Sequence, residues 1–147
     1  MTDDWKTYIT SLHSRAAFHA AAAADDLQRT ESGLRVALPR DLRALLAQSD
    51  GVAGRYGEGL VWPSAQILKV NLEFRSSPSF RDLYMPFDAL LFFADAGNGD
   101  QFAYRILNGR ATEHDIYLWD HENDSRSWKA STLRQYLEWL STGRMQV

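Results

Sequence analysis

Hydrophobic positions recur along the chain with two periods. Trp5, Tyr8, Ile9, Leu12, Ala16, His19, Ala20 and Ala23 fall three and four residues apart, which predicts one amphipathic helix. Thr2 or Asp3 can cap its start. Residues 28–33 are polar and read as a connection. A second helix is predicted from Pro39, whose fixed φ suits a first turn. Leu42, Leu45 and Leu46 form its stripe, and Ser49-Asp50-Gly51 stops it. Four glycines in residues 51–59 precede a short strand, Leu60-Val61-Trp62. Pro63 and Ser64 open a third helix carrying Ile67, Leu68, Leu72 and Phe74, and residues 76–86 read as loop.

The second half changes period. Residues 90–94 are an apolar run, which predicts a central strand buried on both faces. Residues 101–107 alternate, with Phe102, Tyr104 and Ile106 on one face. Residues 115–119 read as a third strand and Trp128-Lys129 as a fourth, joined by short polar links that include Asn108-Gly109. This is an antiparallel meander. Ser131 then reads as the N-cap of a last helix bearing Leu133, Tyr136, Leu137 and Leu140, with Gly143 just past its end. The whole is α+β: a largely antiparallel sheet flanked by about four helices.

Composition narrows what such a chain can do. Its 147 residues set an expectation of one domain over 1–147, large enough for one core. There is no cysteine, which removes disulfides, thiolate zinc sites, iron–sulfur clusters and cysteine nucleophiles, and suits a reducing compartment. Net charge is −3 with no run of Lys or Arg, so direct nucleic-acid binding is not expected. The acidic start lacks the basic region of a secretory signal, and no apolar run approaches membrane-spanning length. A cytoplasmic protein with no membrane partner is the expectation.

Two polar clusters are candidates for chemistry. Asp95-Ala96-Gly97-Asn98-Gly99-Asp100 is oxygen-rich, yet it lacks the twelve-residue calcium pattern and its terminal Glu, and strands rather than helices flank it. A tight hairpin turn is the better reading. Asp120-His121-Glu122, followed by Asp124 and Arg126, could serve a metal-dependent hydrolase. A continued strand would put Asp120 and Glu122 on one side and His121 on the other. His114, His13 and His19 are not placed to complete a site. A charged hairpin tip, with Arg126 pairing back to Glu122 or Asp124, is favoured. There is no G-x-S-x-G elbow and no assembled nucleophilic triad. Trp62, Trp119 and Trp128 are assigned to the core, and Trp139, off the last helix's stripe, to a partly exposed position.

The ordered pieces of the second half carry a resemblance. Residues 38–46, Ser49-Asp50-Gly51, residues 60–67, residues 91–104 with Gly97-Asn98-Gly99-Asp100, residues 116–126 with Trp119-Asp120-His121-Glu122, and residues 130–140 together resemble the SUKH superfamily. That group includes fungal cell-wall-synthesis regulators and bacterial toxin-immunity proteins. The family-like region covers about 38–142, preceded by the N-terminal amphipathic helix; Asp50 stands where the family often has Asn. The resemblance implies a single α+β domain that makes or breaks no bond, needs no metal or cofactor, and binds a cognate toxin domain. An intracellular regulator or scaffold is the alternative, and a small metal-dependent hydrolase using His121, Asp120 and Glu122 the weaker one. The acidic balance suits a basic toxin such as a nuclease, with association rates that fall as salt rises. The expected partner surface is Asp95, Asn98, Asp100, Asp120, His121, Glu122, Asp124 and Arg126. Whether the protein acts as a monomer or an oligomer is left open.

Overall fold

The antiparallel meander occupies the second half of the chain. The structure is a computed structural model, and it describes residues 4–145. In chain order the described elements are α1 (Trp5–Leu12), β1 (Ala17–Phe18), α2 (Ala24–Leu34), α3 (Arg40–Gln48), β2 (Val52–Ala53), β3 (Gly59–Val61) and α4 (Ser64–Ser76). Then follow α5 (Pro78–Leu83), β4 (Leu90–Asp95), β5 (Gln101–Leu107), β6 (Arg110–Trp119), β7 (Arg126–Ala130) and α6 (Leu133–Thr142). Strands β1-β2-β3 form one antiparallel sheet and β4-β5-β6-β7 another. The fold is α+β, with six described helices instead of about four.

Opposed residues in the larger sheet share a face. Leu91, Tyr104, Ile116 and Ala130 form one row, and Phe92, Ala103, Tyr117 and Trp128 another. On the first face Phe93 meets Tyr104, and Phe93 and Phe102 meet Tyr136 of α6, with ring centroids about 5 Å apart. On the second, Phe92 and Trp119 pack against Phe74 of α4 and Phe87. The β5–β6 turn is Asn108-Gly109, both at positive φ, which is what a two-residue hairpin with right-handed strand twist requires.

The run 90–94 is buried on both faces as expected, yet β4 ends its sheet's strand order. Its outer edge is closed by side chains. The Asn71 amide donates to the Phe92 carbonyl (2.9 Å) and accepts from its N–H (2.9 Å), mimicking a neighbouring strand. Arg75 donates to Leu90 O, and the Trp62 N–H beyond β3 donates to Phe93 O. From Leu90 to Phe93 these contacts occupy backbone groups that another chain would need for pairing.

The first half departs most from expectation. The helix from Trp5 stops at Leu12, and Asp4 caps it through Thr7 N; Thr2 and Asp3 lie outside the described residues. Residues 16–23 are not helical despite their alanines. Ala17 and Phe18 pair with β2, His19 N–H donates to Ser49 Oγ, Ala22 N–H donates to Leu46 O, and Ala20 O accepts from Asp50 N–H. Tertiary pairing outweighs local propensity. The supposed connection 28–33 lies inside α2, whose buried face includes a polar residue, Thr30, donating to Ser64 O. Residues 76–86 contain α5, started by Ser77 and Pro78. On α4 Leu72 is exposed and Asn71 is buried in its stead. β6 starts at Arg110, ahead of residue 115, and β7 at Arg126, ahead of Trp128. Trp128 is 48% exposed, because β7 is a sheet edge, while Trp62 and Trp119 are core. The last helix is capped by Thr132, one residue after Ser131.

Candidate functional site

The β4–β5 and β6–β7 turns project from the same end of the larger sheet, because consecutive antiparallel hairpins place alternate turns together. They are tied to each other. Asp100, buried, accepts from His121 N–H (3.1 Å), and its Oδ1 lies 2.6 Å from His121 Nδ1. The hydrogen bond to Asp100 raises the His121 pKa above its ordinary value, against desolvation, with Asp120 and Glu122 adding to the pull. Gly99 lets the ring approach: a Cβ there would sit 2.9 Å from His121 Cε1, and φ is +95°.

The second turn is held from below. Asp124 accepts from the Trp119 indole (2.8 Å), from Met85 N–H (2.9 Å) and from Arg126 (3.2 Å). Burial opposes its charge, but these donors outweigh burial and hold the carboxyl below the usual range. Arg126 also donates to the carbonyls of Met85 and Pro86, and Tyr84 Oη donates to His121 O. Of the two partners expected for Arg126, the structure selects Asp124.

These bonds sort the expected surface residues. Asp100, Asp124 and Arg126 are used internally, and Asp95 accepts from the Trp62 indole (2.9 Å). Asn98 Oδ1 accepts from Asp100 N–H and Asp120 Oδ1 from Glu122 N–H. Asn98 and Glu122 are exposed, and Asp120 and His121 partly so. The tight-turn reading of residues 95–100 fits the positive φ of Gly97 and Gly99.

His121 does not face away from Asp120, because the strand ends at Trp119 and the chain turns at once. Asp100, Asp120 and His121 each offer a ligand atom within 4.8 Å of the others. Glu122 lies outside that group. The donor set of one imidazole and two carboxylates suits a divalent ion, but His121 Nδ1 is already engaged by Asp100. Among the described residues no hydroxyl bonds the His121 ring.

A further wall was not foreseen. The glycine-rich stretch 54–59 lies beside the 95–100 turn, and the two enclose a cleft of about 790 Å³ with Glu58, Asp95 and Gly99 on its sides and Leu60 and Leu140 within. Tyr56 at its rim is 82% exposed. His13 borders it, its Nε2 placed 3.1 Å from Leu137 O. The glycine density at 51–59 marked the stretch in the sequence, but nothing local tied it to residues forty positions later.

Together the segments 54–59, 95–100 and 120–126 carry six carboxylates against two arginines, Arg55 and Arg126. With a net charge of −3 for the whole chain, the rest of the protein is close to neutral and this end is acidic. Among the described residues no helix is long and apolar enough to cross a membrane. A comparison with curated proteins returned no match. A family model described as SMI1-KNR4 cell-wall matches residues 24–137, from the first residue of α2 into α6, and so takes in both turns and the cleft wall. The chain therefore belongs to the SMI1-KNR4 family of the SUKH superfamily, which includes immunity proteins.

Proposed function

We propose that the whole chain acts as one non-enzymatic binding domain, an immunity-type protein that occupies and neutralises a cognate toxin domain in the cytoplasm. The observation that supports this reading most is the concentration of carboxylates at one end of the sheet, on turns whose shape is fixed from beneath. Asp95, Asn98, Asp100, Asp120, His121, Glu122, Asp124 and Arg126 are the proposed partner surface, extended by Glu58 and Tyr56. Asp100, Asp124 and Arg126 act by holding shape; Glu122, Asp120 and Glu58 present charge. An acidic end speeds the encounter with a basic partner such as a nuclease. Tyr56 adds the kind of side chain that dominates interface energy.

The test is co-expression with a toxin encoded next to this gene. Survival of the host together with a co-purified complex is the expected result. Association should slow steeply as salt is raised. Survival without complex formation, or turnover of a small molecule by the isolated chain that one substitution abolishes, would refute the proposal.

A further inference from the structure

A second pocket lies behind the β6–β7 turn, lined by none of the residues of the proposed partner surface. α5, the end of α4 and residues 84–88 enclose about 320 Å³, the lower end of the range for small-molecule sites. Its lining is aromatic: Phe74, Phe80, Tyr84 and Phe87 meet with ring centroids 5.0 to 6.1 Å apart. Ring edges and faces of this kind take a further ring in the same tilted geometry.

Arg75 stands at the same pocket. Its two terminal nitrogens donate to Leu34 O (3.3 Å) and Leu90 O (3.2 Å), which fixes the guanidinium plane. Its Nε–H is cut off from solvent and has no acceptor in the protein. With its donors held inside the protein, Arg75 acts on an anion in the pocket through its charge, which is felt more strongly beside a partly buried wall than in open water. Arg81 lines the pocket too and makes no ion pair among the described residues. Asp88 contributes one carboxylate to the same lining, and its charge acts on Arg75. The balance is one net positive charge, which matches a monoanion better than a phosphate dianion.

We propose that this pocket binds a small monoanionic carboxylate with an aromatic body, the ring against Phe74, Phe80 and Tyr84 and the carboxylate at Arg75 and Arg81. The site stands whether or not the acidic end binds a toxin, because none of its lining residues belongs to that surface, although Tyr84, Met85 and Pro86 bond to His121, Asp124 and Arg126.

Titration of the isotope-labelled full chain with phenylpropionate, beside the neutral phenylpropionamide, tests it by amide chemical shifts. The expected result is a saturable response centred on residues 74–88, in the millimolar range or tighter, as suits a ligand of this size. The acid should bind about tenfold more tightly than the amide, because charge-assisted hydrogen bonds are the stronger kind. Arg81→Gln should weaken the acid several-fold and leave the amide unchanged; Arg81 holds no backbone group, so this variant keeps the fold. Arg75→Lys retains the charge, and should weaken the acid less than Arg81→Gln does. Equal binding of acid and amide, no saturation by low millimolar, or wild-type affinity in Arg81→Gln would overturn the proposal.

Discussion

The acidic end has an inner and an outer tier that look alike in sequence and behave differently in structure. Asp100 and Asp124 each accept hydrogen bonds from two or three donors and are mostly shielded from water. Glu122 is exposed, and in the cleft wall Glu58, among the described residues, accepts only from the neighbouring Tyr56 N–H within its own hairpin. The difference teaches where each carboxylate spends its charge. The inner pair fixes the turns, so that the outer charges are presented in one arrangement, without an ordering cost when a partner arrives.

Removal of an inner carboxylate is the most direct way to break this division. Asp124→Ala strands the Trp119 indole, the Met85 amide and part of Arg126 at once, and should destabilise the protein by about 2–4 kcal/mol in urea unfolding. The acid limb sharpens the point. Asp124's folded pKa is depressed, so its contribution is present above the unfolded value of about 3.9 and is lost as pH falls through the folded value. Asp124→Asn should therefore flatten the stability–pH curve below about pH 4. An unchanged acid slope would move Asp124 to the outer tier.

A smaller effect is expected at the joint between the two turns. Gly99→Ala puts a Cβ against the His121 ring at a φ of +95°, and should cost about 1–2 kcal/mol by the same measurement. The His121–Asp100 bond itself titrates. His121's folded pKa is raised, so the stabilisation is complete below the unfolded value of about 6.5 and is lost as pH rises through the folded value. In a proton NMR titration His121 should titrate above its ordinary value of about 6.5, and Asp100→Asn should lower its midpoint. A wild-type His121 midpoint that Asp100→Asn leaves unchanged would leave the two turns uncoupled.

The sequence exposed the meander, α3, α6 and the two polar turns because each is a local pattern: alternation, a three-four stripe, or a Gly–Asn turn. It hid what depends on distant partners. Residues 16–23 have the composition of a helix, yet Val52, Ser49 and Leu46 recruit their backbone. Thr30 and Asn71 are polar and buried, so they break the apolar stripes that would have announced α2 and the inner face of α4. Within the site, the carboxylates were visible but their division was not, since only the fold brings Trp119, Met85 and Trp62 to them. Glu58 and Tyr56 joined the surface through β3 packing beside β4, a contact between stretches with no common local signal.

The outer tier gives the smallest change in stability and the most informative one for function. Glu58→Lys with Glu122→Lys removes two negative charges and adds two positive ones, on side chains that hold no other element in place. Stability in urea should stay within about 0.5 kcal/mol per substitution, as for ordinary surface changes. Association with a basic toxin domain should nevertheless slow by about tenfold at low ionic strength, because steering acts on the encounter rather than on the docked complex. At high salt the variant and the wild type should converge, since screening removes the field that distinguishes them. Stopped-flow association rates across a salt series measure this. A tenfold loss that persists at high salt would instead place Glu58 or Glu122 in direct contact within the docked interface, and a variant as fast as wild type at low salt would detach the acidic end from partner recognition altogether.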